Sequence, residues 1–254
     1  MILRARALLV CLLALLAPAV LVATHALACS FGTYVPPTDI QGGENKAAPG
    51  LEICEEGEFP INCATGNQFE EQTDLVLGGR GPGLHVTRTY NSQAAAEAKS
   101  SGYWGYGWSG PYSSHLEENK ESGAVTVVQE NGATATFNLE GGKYVPGAWV
   151  QSTLVKEGEN YIFTLPTQEK LKFNSKGWLI EQKDRNGNAL TITQFEGLIL
   201  AVKDAAGREL KFAYTEGHVT SIEDPMGNKV KYGYESGNLA SVTLPGEETP
   251  RWKF

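Results

Sequence analysis

Histidine, methionine and runs of positive charge are what this chain of 254 residues is short of. It has four histidines and two methionines, and its formal net charge is −8. His85, His115 and His218 stand singly, with neither the spacing of metal ligands nor a nucleophile motif beside them. Lys and Arg never form a run longer than isolated residues, which argues against nucleic acid or anionic lipid as a partner. Helical periodicity is almost absent, and Ala94 to Lys99 is the only helix candidate. No long apolar stretch occurs after the first two dozen residues, so no spanning helix is expected beyond the N-terminus. Nothing in the pattern asks for a cofactor or metal, and no catalytic residues suggest themselves. The expectation is a chain that is not an enzyme.

The N-terminus reads as an export signal over residues 1–28. Arg4 and Arg6 precede an apolar core from Ala7 to Ala23, and Ala26-Leu27-Ala28 supplies the small residues of a cleavage site. No other basic residue falls in 1–28, so removing Arg4 and Arg6 from 21 basic residues leaves 19 against 29 acidic ones, a mature charge of −10. The expected location is secreted, at the cell surface or in the cell envelope. In an oxidising compartment Cys54 and Cys63 are expected to form a disulfide bond, leaving Cys29 free, lipidated or paired with another chain. Residues 29–59 are rich in Gly, Pro, Glu and Asn and read as an extended lead-in.

What the chain has in abundance is period. Asp184, Asp204 and Asp224 are spaced by twenty, as are Gly187, Gly207 and Gly227, and Gly177, Gly197, Gly217 and Gly237. Apolar columns recur with them: Leu179, Ile199, Val219, Leu239; Leu190, Leu210, Val230; and Ile192, Phe212, Tyr232, Trp252. Within a unit the apolar residues alternate, as in Leu210, Phe212, Tyr214, and Asp-x-x-Gly or Glu-Gly turns separate the runs. The unit is therefore a β-hairpin, and one hairpin buries too little to be stable alone. Stacked units should face inward with Ile199, Val202, Leu210, Phe212, Tyr214, Val219, Ile222, Val230, Tyr232 and Tyr234. Upstream, Gln68 to Leu77 with Leu84 to Tyr90 and Tyr161 to Leu165 with Lys170 to Phe173 read as strand pairs. Val125 to Val128 with Ala133 to Leu139 reads as a hairpin on a two-residue Asn131-Gly132 turn. The fold class is all-β, built of antiparallel hairpin repeats.

Four aromatics, Tyr103, Trp104, Tyr106 and Trp108, lie among the glycines of residues 102–108. Flat rings in an open, glycine-rich segment suit stacking on pyranose faces; burial where strands meet is the commoner fate of such rings. Asp224-Pro225-Met226-Gly227 lies in register with the turns at Asp184 and Asp204 and reads as a turn. Asp184, Asn186 and Asn188 alternate like calcium ligands, but Gly187 is misplaced for such a loop and no glutamate closes it. Gly78 to Gly83 is glycine-rich without the Lys-Ser/Thr of a phosphate loop.

Pro60-Ile61-Asn62-Cys63-Ala64-Thr65-Gly66-Asn67, Glu71-Gln72-Thr73-Asp74-Leu75, Gly81-Pro82-Gly83-Leu84, Thr87-Arg88-Thr89-Tyr90-Asn91-Ser92 and Gly105-Tyr106-Gly107-Trp108 together resemble the leader of Rhs/YD-repeat proteins. The twenty-residue units resemble the YD repeats that follow that leader. The likeness runs from Pro60 to Phe254 and divides the chain into a leader domain over 60–176 and about four repeats over 177–254. The family's Tyr-Asp pair is matched to Phe195-Glu196, Tyr214-Thr215 and Tyr234-Glu235, with the acid drifted or lost. The resemblance implies a non-catalytic segment of a spiralling β-shell in an exported polymorphic toxin or surface protein. Its partners would be further repeats and a C-terminal effector outside these residues. The alternative is a cell-surface module that binds carbohydrate through residues 103–108.

Overall fold

The computed structural model describes residues 66–79, 81–148 and 150–254, and strand dominates throughout. The expected export signal, the lead-in and the Cys54–Cys63 bridge lie outside the described residues.

Three antiparallel sheets follow one another along the chain. The first contains β1 (Phe69–Leu77), β2 (Leu84–Asn91) and β3 (Trp108–Ser109), with a one-and-a-half-turn helix α1 (Ser92–Glu97) between the last two. Asn91 caps α1 by accepting a hydrogen bond from the Ala94 amide at 2.9 Å, so the helix starts two residues before the expected Ala94. The second sheet is the meander β4 (His115–Glu118), β5 (Val125–Val128), β6 (Thr134–Glu140) and β7 (Lys143–Pro146). The third has eleven strands in strict chain order: β8 (Thr153–Glu157), β9 (Asn160–Thr164), β10 (Lys170–Phe173), β11 (Leu179–Lys183), β12 (Ala189–Phe195), β13 (Leu198–Lys203), β14 (Glu209–Thr215), β15 (His218–Glu223), β16 (Lys229–Glu235), β17 (Asn238–Thr243) and β18 (Trp252–Lys253). This sheet begins at β8, upstream of the first twenty-residue unit, and it does not close into a barrel.

Two turn chemistries alternate along its edges. At one edge Asp184, Asp204 and Asp224 each start a three-residue loop that ends on a glycine at φ 86–88°. Each aspartate accepts hydrogen bonds from the amides two and four residues on, at 2.8–2.9 Å. At the other edge the pairs Glu196-Gly197, Glu216-Gly217 and Ser236-Gly237 have positive φ at both residues, the signature of a type I′ hairpin turn. Gly177 falls in the same sequence column but closes a three-residue loop started by Asn174. The expected two-residue turn at Asn131-Gly132 is also a three-residue loop. Glu130 joins it, because Gln129 pairs with Ala133 across the loop (2.8 Å) and Gly132 takes the left-handed position at φ 82°.

In the long sheet one strand is bulged in each of the pairs β10–β11, β12–β13, β14–β15 and β16–β17. Ile180, Leu200, Thr220 and Ala240 have no partner across the ladder, so a bulge recurs every twenty residues. The extra residue is why Ile199 and Val202, Val219 and Ile222, and Leu239 and Val242 share the buried face although each pair is three apart. Eight of the ten expected inward positions are buried, and Tyr214 and Tyr234 are half-buried against the same core. Leu84 and Val86 of β2, Phe137 of β6 and Phe163 of β9 join them in one apolar cluster spanning all three sheets.

The register corrects the matching of Phe195-Glu196. Gln194 pairs with Ile199 as Tyr214 pairs with Val219 and Tyr234 with Leu239, so glutamine holds the tyrosine column in that unit. Gln194 Nε2 donates to the Leu179 carbonyl, and Tyr214 Oη donates to the Ile199 carbonyl one unit later at 2.9 Å. Phe195 points outward and is 62% exposed. An amide can stand in for the phenol because both Gln194 and Tyr214 donate to a backbone carbonyl of the preceding strand, whereas Tyr234 Oη turns to the Tyr103 carbonyl at 3.5 Å.

Candidate functional site

The first sheet and the segment that follows it lie across the inward face of the long sheet, and the sequence pays for close approach with glycine. Gly79 and Gly81, in the turn joining β1 and β2, meet Arg208 and Asn188 at the aspartate edge. A Cβ on Gly105 would lie 2.7 Å from the Leu239 amide nitrogen at the type I′ edge. There the Val219 amide donates to the Tyr103 carbonyl at 2.9 Å and the Tyr106 amide to the Gly237 carbonyl at 3.3 Å.

Between these edges sits a buried polar knot. Arg88 of β2 makes a two-pronged ion pair with Asp74, through Nε at 2.6 Å and Nη2 at 2.9 Å, and both side chains are fully buried. Asp74 is itself the bulge residue of β1, skipped between the pairs Thr73–Thr87 and Leu75–Val86. Tyr232 of β16 donates to Asp74 Oδ2 at 2.8 Å. Burial, then the negative charge of Asp74, raises the Tyr232 phenol pKa well above its ordinary value, so the ring stays a donor. The Arg88 guanidinium lies 4.7 Å from the Trp108 ring centroid and 5.7 Å from that of Tyr232. Trp104 packs edge-on against Tyr232 at 5.3 Å.

The four aromatics of 103–108 have different fates. Trp104 is buried in the core, and Tyr103 packs edge-on against Tyr214. Only Tyr106 and Trp108 reach a cleft of about 540 Å³. Gln68, Glu70, Tyr90, Glu235, Asn238 and Phe254 also line it. Gln68, Glu70, Glu235 and Asn238 carry no signal in sequence, since only the docking of the first sheet beside β16 and β17 brings them together.

The three histidines among the described residues occupy separate environments. His85 faces Glu130 at 3.9 Å and packs at 5.3 Å from Tyr112, while Glu130 also accepts from the Tyr112 amide at 3.0 Å. Burial alone would lower the His85 pKa, but the Glu130 carboxylate outweighs it and holds the imidazole above its ordinary value. Burial likewise would raise Glu130, and the His85 contact and the Tyr112 amide bring it below the usual carboxylate range. Burial raises Glu71 and Glu169 nearby, with the Glu130 charge adding to both. His115 lies near Ser113 and Glu117, and His218 hydrogen-bonds Ser101 Oγ at 2.9 Å beneath the Tyr234 ring. No cluster of metal-binding residues occurs among the described residues.

The motif-like turns spend their polar atoms locally. In Asp224-Pro225-Met226-Gly227, Asp224 accepts from the Met226 and Asn228 amides and from Asn228 Nδ2, all at 2.8–2.9 Å. Asp184 does the same with Asn186 and Asn188. Gly78 to Gly83 joins two strands and introduces no helix.

Residues 58–137 match a family described as a domain of unknown function, DUF6531. Over 135 residues, 52% of the chain, the protein is 35% identical to the tRNA nuclease WapA of Bacillus subtilis (strain 168). The same identity and coverage hold for the tRNA(Glu)-specific nuclease WapA of Bacillus subtilis subsp. natto (strain BEST195) and the tRNA3(Ser)-specific nuclease WapA of Bacillus spizizenii. The aligned part is 6% of each relative's length.

Proposed function

We propose that this chain is a non-catalytic scaffold segment of an exported Rhs/YD-repeat protein of the WapA kind. It would form part of a β-shell that encloses or displays a C-terminal effector. The observation that carries the reading is the eleven-stranded meander, whose hairpins from β11 onward recur every twenty residues, with the first sheet tied across its inward face. One bulge per twenty residues adds local twist at a constant interval, which favours a sheet that coils evenly as units are added. The side chains that recur with the period are apolar or turn-forming, and none forms a recurring titratable cluster. Nuclease activity in the relatives' names is said of proteins far longer than the aligned segment, so it is not carried to these residues.

Reading the gene past codon 254 tests the proposal. Further twenty-residue units followed by an unrelated segment are expected. A stop codon directly after Phe254, with a folded and exported product that ends there, would remove the shell reading. Mass spectrometry of the exported form should find a chain starting at Cys29 with Cys54 cross-linked to Cys63.

A second reading is recognition of surface carbohydrate. Tyr106 and Trp108 in the cleft favour it, with the amides of Gln68 and Asn238 as hydrogen-bonding partners. Glycan-array binding that is lost in Trp108→Phe and kept in His115→Ala would support this role.

A further inference from the structure

The cleft beside the edge of the long sheet has a chemistry that neither reading requires. Four aromatic side chains line it: Tyr90, Tyr106, Trp108 and Phe254. Trp108 stands centrally, with its ring centroid 5.3 Å from that of Tyr90 and 5.5 Å from that of Phe254. Glu70 comes from β1 and Glu235 from the end of β16, so the carboxylates enter from two different sheets. Among the described residues, no Lys, Arg or His lines the cleft.

We propose that this cleft binds a small organic cation, an alkylammonium group of the choline type. The inference stands apart from the scaffold reading and does not depend on it. Aromatic faces are electron-rich, so they attract a soft, poorly hydrated cation that a compact carboxylate site alone would not favour. The structure already contains one such contact, since the Arg88 guanidinium lies 4.7 Å from the centre of the Trp108 ring. Asp74 neutralises that guanidinium through two hydrogen bonds, so the charge left unmatched around the cleft is that of Glu70 and Glu235. Two carboxylates repel an anionic ligand. A neutral sugar could use the rings and accept or donate hydrogen bonds, but it would leave both charges uncompensated. A volume of about 540 Å³ admits a trimethylammonium group together with the carbon chain that carries it.

The test is calorimetric or NMR titration of the folded chain with choline chloride. Its neutral isostere 3,3-dimethylbutan-1-ol, sodium acetate and glucose serve as comparison ligands. Saturable choline binding is expected, about tenfold tighter than the isostere, with no binding of acetate. Glu70→Gln and Glu235→Gln should each weaken choline severalfold, and added salt should weaken it further. Trp108→Phe and Tyr106→Leu should also weaken it, whereas His115→Ala should not. Because Trp108 also touches Arg88, the two glutamine variants decide the matter if the Trp108 change perturbs folding. Equal binding of choline and its isostere would show an apolar cleft and overturn the proposal. Glucose binding that is insensitive to both glutamine substitutions would overturn it in favour of carbohydrate. Absence of a saturable choline signal in the folded protein would overturn it outright.

Discussion

Asp74 and Arg88 illustrate how strongly the cost of a residue depends on its partners. A buried charge pair is costly unless hydrogen bonds satisfy it; Tyr232 supplies the third contact to Asp74, while Arg88 Nη1 makes no hydrogen bond and faces aromatic rings. Arg88→Met or Asp74→Ala leaves the other charge buried alone and is expected to cost about 3–5 kcal/mol in chemical denaturation. Tyr232→Phe removes only one donor and should cost about 1–3 kcal/mol. The tyrosine column supplies a second residue-scale contrast. Gln194→Ala strips a hydrogen bond from the Leu179 carbonyl, whereas Phe195→Ala removes an exposed ring. The first is expected to cost about 1–2 kcal/mol and the second within about 0.5, measured by urea midpoints. The reverse order would restore Phe195 to the column. Phe212→Ala, by contrast, opens a core cavity and should cost about 3–5 kcal/mol.

Each hairpin is defined by its two ends and its bulge. The aspartate turns carry a pH signature. Burial alone would raise the Asp204 and Asp224 carboxyl pKa values, but hydrogen bonds from Arg208 to the first and from Asn228 to the second leave them below the ordinary range. Asp184 is lowered by its hydrogen bonds, first from the Asn188 side chain. A folded-state value below the unfolded one contributes stability that is complete above the unfolded value of about 4 and disappears as pH falls through the folded value. Stability is therefore expected to decline on acidification below about pH 4, less steeply in Asp224→Asn, followed by fluorescence melts. At the opposite edge Glu216 and Gly217 hold φ 51° and 81°. Gly217→Ala should cost about 1–2 kcal/mol, while Glu216→Asn should be neutral or stabilising. The bulge makes a sharper prediction. Deleting Thr220 turns Val219 and Ile222 into an ordinary alternating pair that still faces inward. Inserting one residue after Thr220 sets Val219 and Ile222 four apart, so both can face inward only if the bulge widens to two residues or the Glu216-Gly217 turn loses its register. Circular dichroism melts should show the deletion tolerated and the insertion severely destabilising.

Across the molecule, one apolar cluster runs through all three sheets, so the first sheet and the hairpin array share a core. Their docking depends on glycine at points of contact. Gly105→Ala, which directs a Cβ at the Leu239 amide nitrogen, is expected to loosen residues 101–108 and speed amide exchange at Val219 and Tyr106, whose amides bond across this contact. The alternation of apolar residues and the spaced turn residues made strand class, hairpin order and most inward positions legible before any coordinates. These features are local: side-chain period, positive φ and Asx hydrogen bonding each act over a few residues. Loop length at Asn131-Gly132 was not legible, because Glu130 is held in the loop by His85 and Tyr112 from distant segments. Nor was the true tyrosine column, since an outward Phe195 looks like the repeat's ring until Gln194 is seen paired with Ile199. An all-β chain with a twenty-residue hairpin period follows from residue order, because strand pairing between neighbours needs only local pattern and short turns. It takes the folded arrangement of the sheets to bring Asp74 to Arg88 and Tyr232, and Trp108 to Glu70 and Glu235 around one cleft. Those contacts join positions up to 158 residues apart, and only the packing of one sheet across another sets them.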